Sequence, residues 1–353
     1  MRIKAYFKVV LFANILLLIE GCIANNKDPK PFTKVINANG EVFIEADKLG
    51  DPRHIIVVGK YLLVGNKTRS PLVEIYDIST KKLIDSFLAI GNGPNEVLII
   101  GNVQYIPQRG VLLVADLFKR KLLSYNLEHV LREGDLKPEV IYERDEASTL
   151  MFDKLYAGKD FFIAESRDPK GRVLLLDSAG REKAYYLPYP DKEKVDKNLG
   201  DINHADLYAS AVTVSPALDK VALATYNAGI IDICKLDKDD VVPLWNYTEF
   251  YPQGIKLMPM GKKMVVAYTP KSRNGFTNIS SSNKYVYALY SGKLSEDPSY
   301  PYGNEVYVVS WNGKKTSKII LDRQINRLAV DIKDEYIYGI TKEMDIVRFK
   351  MDK

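Results

Sequence analysis

The chain has 353 residues, enough for one large domain or two ordinary ones, and hydrophobic residues make up 46% of it, which excludes global disorder. The formal net charge is +5; residues 1–21 hold Arg2, Lys4 and Lys8 against Glu20, which leaves +3 on the remainder. So even a balance, with no clustered basic stripe, excludes a nucleic-acid partner from the reading.

Residues 1–21 read as a targeting segment. "MRIKAYFKVV" supplies positive charge, and "VVLFANILLLI" is an apolar run too short to span a bilayer and long enough for a signal-peptide core. "LIEGC" follows, with the small Gly21 directly before Cys22. The arrangement resembles a bacterial lipoprotein signal, cleaved before a cysteine that is then lipidated. Glu20 departs from that pattern, which usually has a small or hydroxylic residue there. The alternatives are an ordinary signal peptide with an incidental cysteine, and a membrane-spanning anchor. Acyl chains on Cys22 would tie the protein to a membrane. Residues 22–36, "IANNKDPKPFTK" and its continuation, are polar and contain proline, as expected of a tether. With Cys22 lipidated, the second cysteine, Cys234, has no disulfide partner and reads as a small core residue.

From residue 37 to 353 the chain repeats. Apolar runs of about five residues begin at Tyr61, Val111, Phe161, Val221, Tyr285 and Tyr336, each introduced by a polar or glycine-containing turn. A second run follows most of them, as in "VEIYDIS", "RVLLLDS" and "DIVRFKM". A third often follows, as in "KKLIDSFLAI" and "TSKIILD", and a fainter one precedes each turn, as in "RHIIVVG" and "NVQYIP". Four short strands per unit, at steps of 50 to 64 residues, predict a β-propeller. In "KYVYALYSG", Tyr285, Tyr287 and Leu289 share one face and Val286, Ala288 and Tyr290 the other. Both faces are apolar, as blades packed between neighbours require. Helical periodicity is nearly absent; "LEHVLREG" is the one candidate turn of helix.

The last unit ends without an outer strand, while "GEVFIEADKL", residues 40–49, is an orphan ahead of the first. Pairing the two closes the ring and removes exposed strand edges. The expected fold is therefore all-β: a six-bladed propeller of four-stranded antiparallel blades, closed by an N-terminal strand completing the last blade. Residues 249–283 fit the repeat poorly and read as an insertion or as part of a disguised seventh blade.

"GNGPNEV" and "KYVYALYSGK" together resemble the TolB-like six-bladed propeller lipoproteins of Gram-negative bacteria. That resemblance implies the fold and a place in the cell envelope, most simply as an outer-membrane lipoprotein facing periplasm or exterior. It implies no catalytic residues.

The stretch "LAIGNGPNEVLIIGNV", residues 88–103, raises the question of a phosphate loop. It lacks a third glycine, a following helix and Gly-Lys-Ser/Thr, so it reads as a connection between blades. In an up-and-down blade with strands A to D, the B–C and D–A loops share one face. That face gathers Asn92, Asn95, Glu96, Lys67, Arg69, Lys119, Arg120, Arg167 and Arg172. These residues suggest a polar, basic-leaning mouth for an anionic or hydroxyl-rich ligand. Metal-ligand spacing and a GxSxG nucleophile are absent, and no cofactor is expected. His54 precedes an inner strand and is a candidate for the central channel, and Asp237, Asp239 and Asp240 form a charged turn. The first functional expectation is a lipid-anchored binding or interaction module for an envelope protein, peptide or glycan. The second is a carbohydrate hydrolase or lyase using channel-lining acid and base groups, and the third is a mainly structural envelope protein.

Overall fold

The computed structural model describes residues 31–351 apart from 94, 134–137, 146 and 262; the targeting segment and Cys22 lie outside the described residues. The chain opens with β1 (Val35–Ala38) and β2 (Gly40–Ile44). Blade 1 is β3 (Pro52–Val58), β4 (Tyr61–Asn66), β5 (Val73–Asp77) and β6 (Leu83–Phe87), and blade 2 is β7 (Ile100–Ile106), β8 (Val111–Asp116), β9 (Lys121–Asn126) and β10 (Glu139–Glu143). A helix, α1 (Leu127–Glu133), separates β9 from β10, where "LEHVLREG" predicted it.

Blade 3 is β11 (Phe152–Ala157), β12 (Phe162–Ser166), β13 (Val173–Leu176) and β14 (Glu182–Tyr186). A second helix, α2 (Asp201–Leu207), which the sequence reading did not foresee, lies in the connection to blade 4. Blade 4 is β15 (Ser210–Val214), β16 (Lys220–Thr225), β17 (Ile230–Leu236) and β18 (Val241–Thr248), followed by a separate two-stranded hairpin, β19 (Ile255–Met260) and β20 (Lys263–Tyr268). Blade 5 is β21 (Phe276–Ser281), β22 (Tyr285–Tyr290), β23 (Gly303–Ser310) and β24 (Thr316–Ile325), and blade 6 is β25 (Arg327–Val330), β26 (Tyr336–Ile340) and β27 (Ile346–Lys350).

The ring closes as the orphan strand predicts. β2 pairs antiparallel with β27, Val42 opposite Val347, and supplies the fourth strand of blade 6. Gly40 is required at the entry, since a Cβ there would lie 2.6 Å from the side chains of Phe349 and Val347. One strand was not foreseen: β1 adds in parallel to β24, making blade 5 five-stranded. Phe32 is buried just before it, edge-on to Tyr247 at 5.0 Å and beside Trp245 and Tyr307. The folded part thus reaches back to Phe32.

The two-faced reading of blade 5 holds. Tyr287 and Leu289 pack with Val347 and Phe349 of blade 6, while Val286, Ala288 and Tyr290 pack with Ala222 and Ile231 of blade 4. Burial between sheets, at roughly 25 cal/mol per Å² of apolar surface, is what holds the blades in a circle. The hairpin β19–β20 is an insertion between blades 4 and 5 and not a seventh blade, because among the described residues its two strands pair only with each other.

Candidate functional site

The innermost strands β3, β7, β11, β15, β21 and β25 surround an axial cavity of about 470 Å³. Their polar side chains form a continuous set of links from each blade to the next. Between blades 1 and 2, His54 Nε2 lies 3.2 Å from the carbonyl of Ile100. A carbonyl only accepts, so Nε2 carries the proton and the imidazole's single neutral-form donor is already engaged. Between blades 2 and 3 the side-chain amides act as strand mimics. Asn102 accepts from Leu155 N and donates to its carbonyl, and Gln104 does the same with Ala157.

Lys154 Nζ donates to the Ser210 carbonyl at 2.7 Å and the Tyr156 hydroxyl to the Val212 carbonyl at 3.0 Å, joining blades 3 and 4. Thr213 and Ser281 hydroxyls meet at 2.9 Å, Asn278 Oδ1 accepts from Leu328 N at 3.0 Å, and Arg327 Nε donates to the Arg53 carbonyl at 3.0 Å. These links complete the circle from blade 4 back to blade 1.

Charge in the cavity is one-sided. Lys154 and Arg327 line it, together with His54, Tyr226, Asn102, Thr277 and Asn278, and among the described residues no carboxylate lines it. Burial, and then Arg327, pushes the His54 imidazole down to about 4, against the Ile100 carbonyl, so it is neutral at pH 7. Burial works against the Lys154 charge, but Tyr226, Glu165 and Tyr156 outweigh it and hold the ammonium above the usual lysine range. Glu165 is 3.6 Å from Lys154 and sits in the wall behind it, accepting from Ser210 N. Burial holds the Arg327 guanidinium below the usual arginine range; Tyr226 opposes this and Arg53 adds to it.

The loop residues singled out in the sequence share the end of the ring carrying the B–C and D–A connections, but most tie those loops together. Glu96 folds back into its own turn, accepting from Gly93 N at 2.7 Å. A Cβ on Gly91 would stand 2.0 Å from the Glu96 carboxylate, so a larger residue there would displace that side chain from the turn. Lys119 seals the turn by donating to the Gly93 and Glu96 carbonyls. The "GNGPNEV" segment is thus a blade connection closed around its own acid. Arg69 reaches the Leu49 carbonyl, and Arg167 pairs with Asp153 at 2.5 Å and Asp206 at 3.3 Å. Arg172 is only 3% exposed; it bonds Asp232, Ser210 and Thr225 inside the wall. Asn92, Arg120 and Lys67 are exposed, and Asn95 is half-buried.

The β19–β20 hairpin stands at the same end, since it lies within a D–A connection. It is tied down by Asn203 to the Met264 carbonyl and by Asn227 to the Tyr268 hydroxyl, and it exposes Met258, Met260 and Met264. Lys154 and Arg327 escaped the sequence reading. Their signal was a charged residue inside or at the start of an inner strand, in "FDKLYA" and "NRLAVDI".

Among the described residues, no group of three His, Cys, Asp or Glu side chains is placed to hold a metal ion, and no helix is long and apolar enough to cross a membrane. A family model described as TolB-like 6-blade propeller-like matches residues 26–333. The chain belongs to this family. None of the curated proteins compared with it matches. Among solved structures, it is similar to a Bacteroides fragilis protein described as exported, at 11% identity and a TM-score of 0.54, covering 91% of this chain and 100% of that one. It is also similar to a member of the DUF4221 family from Bacteroides vulgatus, at 15% identity and a TM-score of 0.55, covering 86% of this chain and 92% of that one. At these identities the likeness is one of fold.

Proposed function

We propose that this TolB-like propeller is a lipid-anchored binding module of the bacterial envelope, recognising a protein, peptide or glycan at the mouth of its axial cavity. The envelope placement rests on the N-terminal sequence: the charged and apolar leader, then Cys22 as the lipid attachment point. The binding reading rests on one observation above all. The cavity is held by links between all six blades and, among the described residues, offers cations and hydroxyls but no carboxylate.

This supports recognition over carbohydrate hydrolysis. Most glycosidases need a pair of carboxylates flanking the bond, and His54 is neutral with its donor engaged. Asn92, Asn95, Glu96, Arg69, Arg120, Arg167 and Arg172 are not among the residues that line the cavity; they belong to the loop end of the ring, where Asn92 and Arg120 are exposed and free to meet a partner. The exposed methionines of the hairpin add an adaptable apolar surface at the loop end of the ring.

The test compares the intact anchored protein with a Thr277→Trp variant whose indole fills the lining. Both are used to capture proteins and glycans from envelope extracts. Components retained by the wild type and lost by the variant are expected. Identical recoveries from two folded proteins, or turnover of a screened sugar without retention, would reject the reading.

A further inference from the structure

The polar groups of the cavity differ in what they have left to offer. Asn102, Gln104 and Asn278 are engaged with backbone, and His54 has no free donor. Two cations remain. Arg327 uses Nε on the Arg53 carbonyl and Nη1 on the Asn326 carbonyl, and Nη2 has no protein partner among the described residues. No carboxylate lies within ion-pair distance of Arg327 among the described residues, whereas its neighbour Arg53 has Asp51 at 3.2 Å.

Lys154 carries three donors. One goes to the Ser210 carbonyl and one side faces Glu165, with the Tyr226 ring 5.1 Å away. Tyr226, Lys154 and Arg327 line the same cavity. A half-buried guanidinium that lines a cavity without a counter-charge attracts an anion that supplies one.

We infer that Arg327 and Lys154, with the Tyr226 hydroxyl, form an oxyanion receptor in the axial cavity, which takes a carboxylate or phosphate group borne by the ligand. This deepens the binding reading above and rests on it. The arrangement discriminates, because a neutral ligand leaves Arg327 uncompensated while an oxyanion pairs with it.

The experiment follows thermal unfolding of the full chain with acetate, glucuronate, inorganic phosphate and neutral methyl glucoside, each against chloride at matched ionic strength. Stabilisation by acetate and glucuronate without phosphate identifies a carboxylate; stabilisation by phosphate alone identifies a phosphoryl group. Arg327→Gln and Lys154→Met are each expected to raise the anion concentration needed by at least about tenfold. Arg327→Lys, which keeps the charge, is expected to retain part of the response.

The inference is overturned if no oxyanion outperforms chloride, or if Arg327→Gln and Lys154→Met both respond as the wild type does. Equal protection by methyl glucoside in wild type and both variants rejects the receptor while leaving the cavity a binding site. An anion response undiminished by Thr277→Trp rejects the cavity itself.

Discussion

Arg172 Nη1 and Asp232 Oδ2 meet at 2.5 Å between blades 3 and 4, sealed from solvent. Ser210 and Thr225 hydroxyls accept from the other terminal nitrogen of Arg172, and Asn246 donates to the second oxygen of Asp232. Removing one partner strands the other charge in the wall. Arg172→Leu is therefore expected to lower unfolding free energy by about 3–5 kcal/mol, measured by urea denaturation. The double variant Arg172→Leu/Asp232→Leu should recover part of that loss; no recovery would mean the pair is not the unit that matters.

The amide links predict a second effect. Gln104 satisfies both the N–H and the carbonyl of Ala157 across a blade boundary. Gln104→Leu leaves both unpaired in a buried place, at a cost of about 2 kcal/mol or more. Gln104→Glu keeps the acceptor but loses the donor, and should fall between the two. Hydrogen exchange at Ala157 reads the local effect directly, and protection unchanged in Gln104→Leu would contradict it.

The repeat and the closure were legible because they rest on pattern. A blade buried on both faces has no polar face, and "KYVYALYSG" displays that in nine residues. The orphan "GEVFI" announced β2 because an unpaired strand at one end matched a missing strand at the other. The hairpin was ambiguous for the converse reason. "IKLMPM" and "KKMVVAY" have strand composition, and composition does not say whether a pair finds two more strands. Nor does it reveal a seven-residue helix such as α2, which is held by tertiary packing of Ala205 and Leu207. Loop charges drew attention because they were charges. What decides their role is the partner: Arg172 and Arg327 look alike in sequence, yet one faces Asp232 and the other faces no acid among the described residues.

Acid sensitivity follows from His54. Its folded pKa, about 4, lies below the unfolded value of about 6.5, so the unfolded chain binds the extra proton between these limits. The stabilising contribution is fully present above pH 6.5 and is lost as pH falls toward 4. Between pH 7 and pH 5 this group alone should remove about 2 kcal/mol. His204, also lowered by burial, acts in the same direction. His54→Gln keeps a donor for Ile100 without the titration. Its stability should fall less over that interval, and an equal fall would exclude His54 as the source.

The closing strand can be tested through Phe43. It is buried against Tyr338, with ring centroids 5.2 Å apart, and Arg348 lies over its ring. Phe43→Ala is expected to cost about 3–5 kcal/mol. It should also raise the tendency to self-associate, because loosening β2 exposes the edge of β27. Light scattering at increasing protein concentration measures this, and a variant that is both stable and monomeric would show that closure does not depend on β2.

The two cysteines give a count that separates anchored from unanchored protein. Cys234 is fully buried, and burial, with Asp232 adding and Arg172 opposing, pushes its thiol up to about 12. It should resist iodoacetamide in the folded state, since the thiolate is the reactive form. After complete denaturation it becomes available. Protein taken from membranes should then accept one label if Cys22 is thioether-linked to lipid, and two if both thiols are free. Mass spectrometry of the intact chain reads the number. Two labels would remove the lipid anchor from the proposed function while leaving the cavity and its cations untouched.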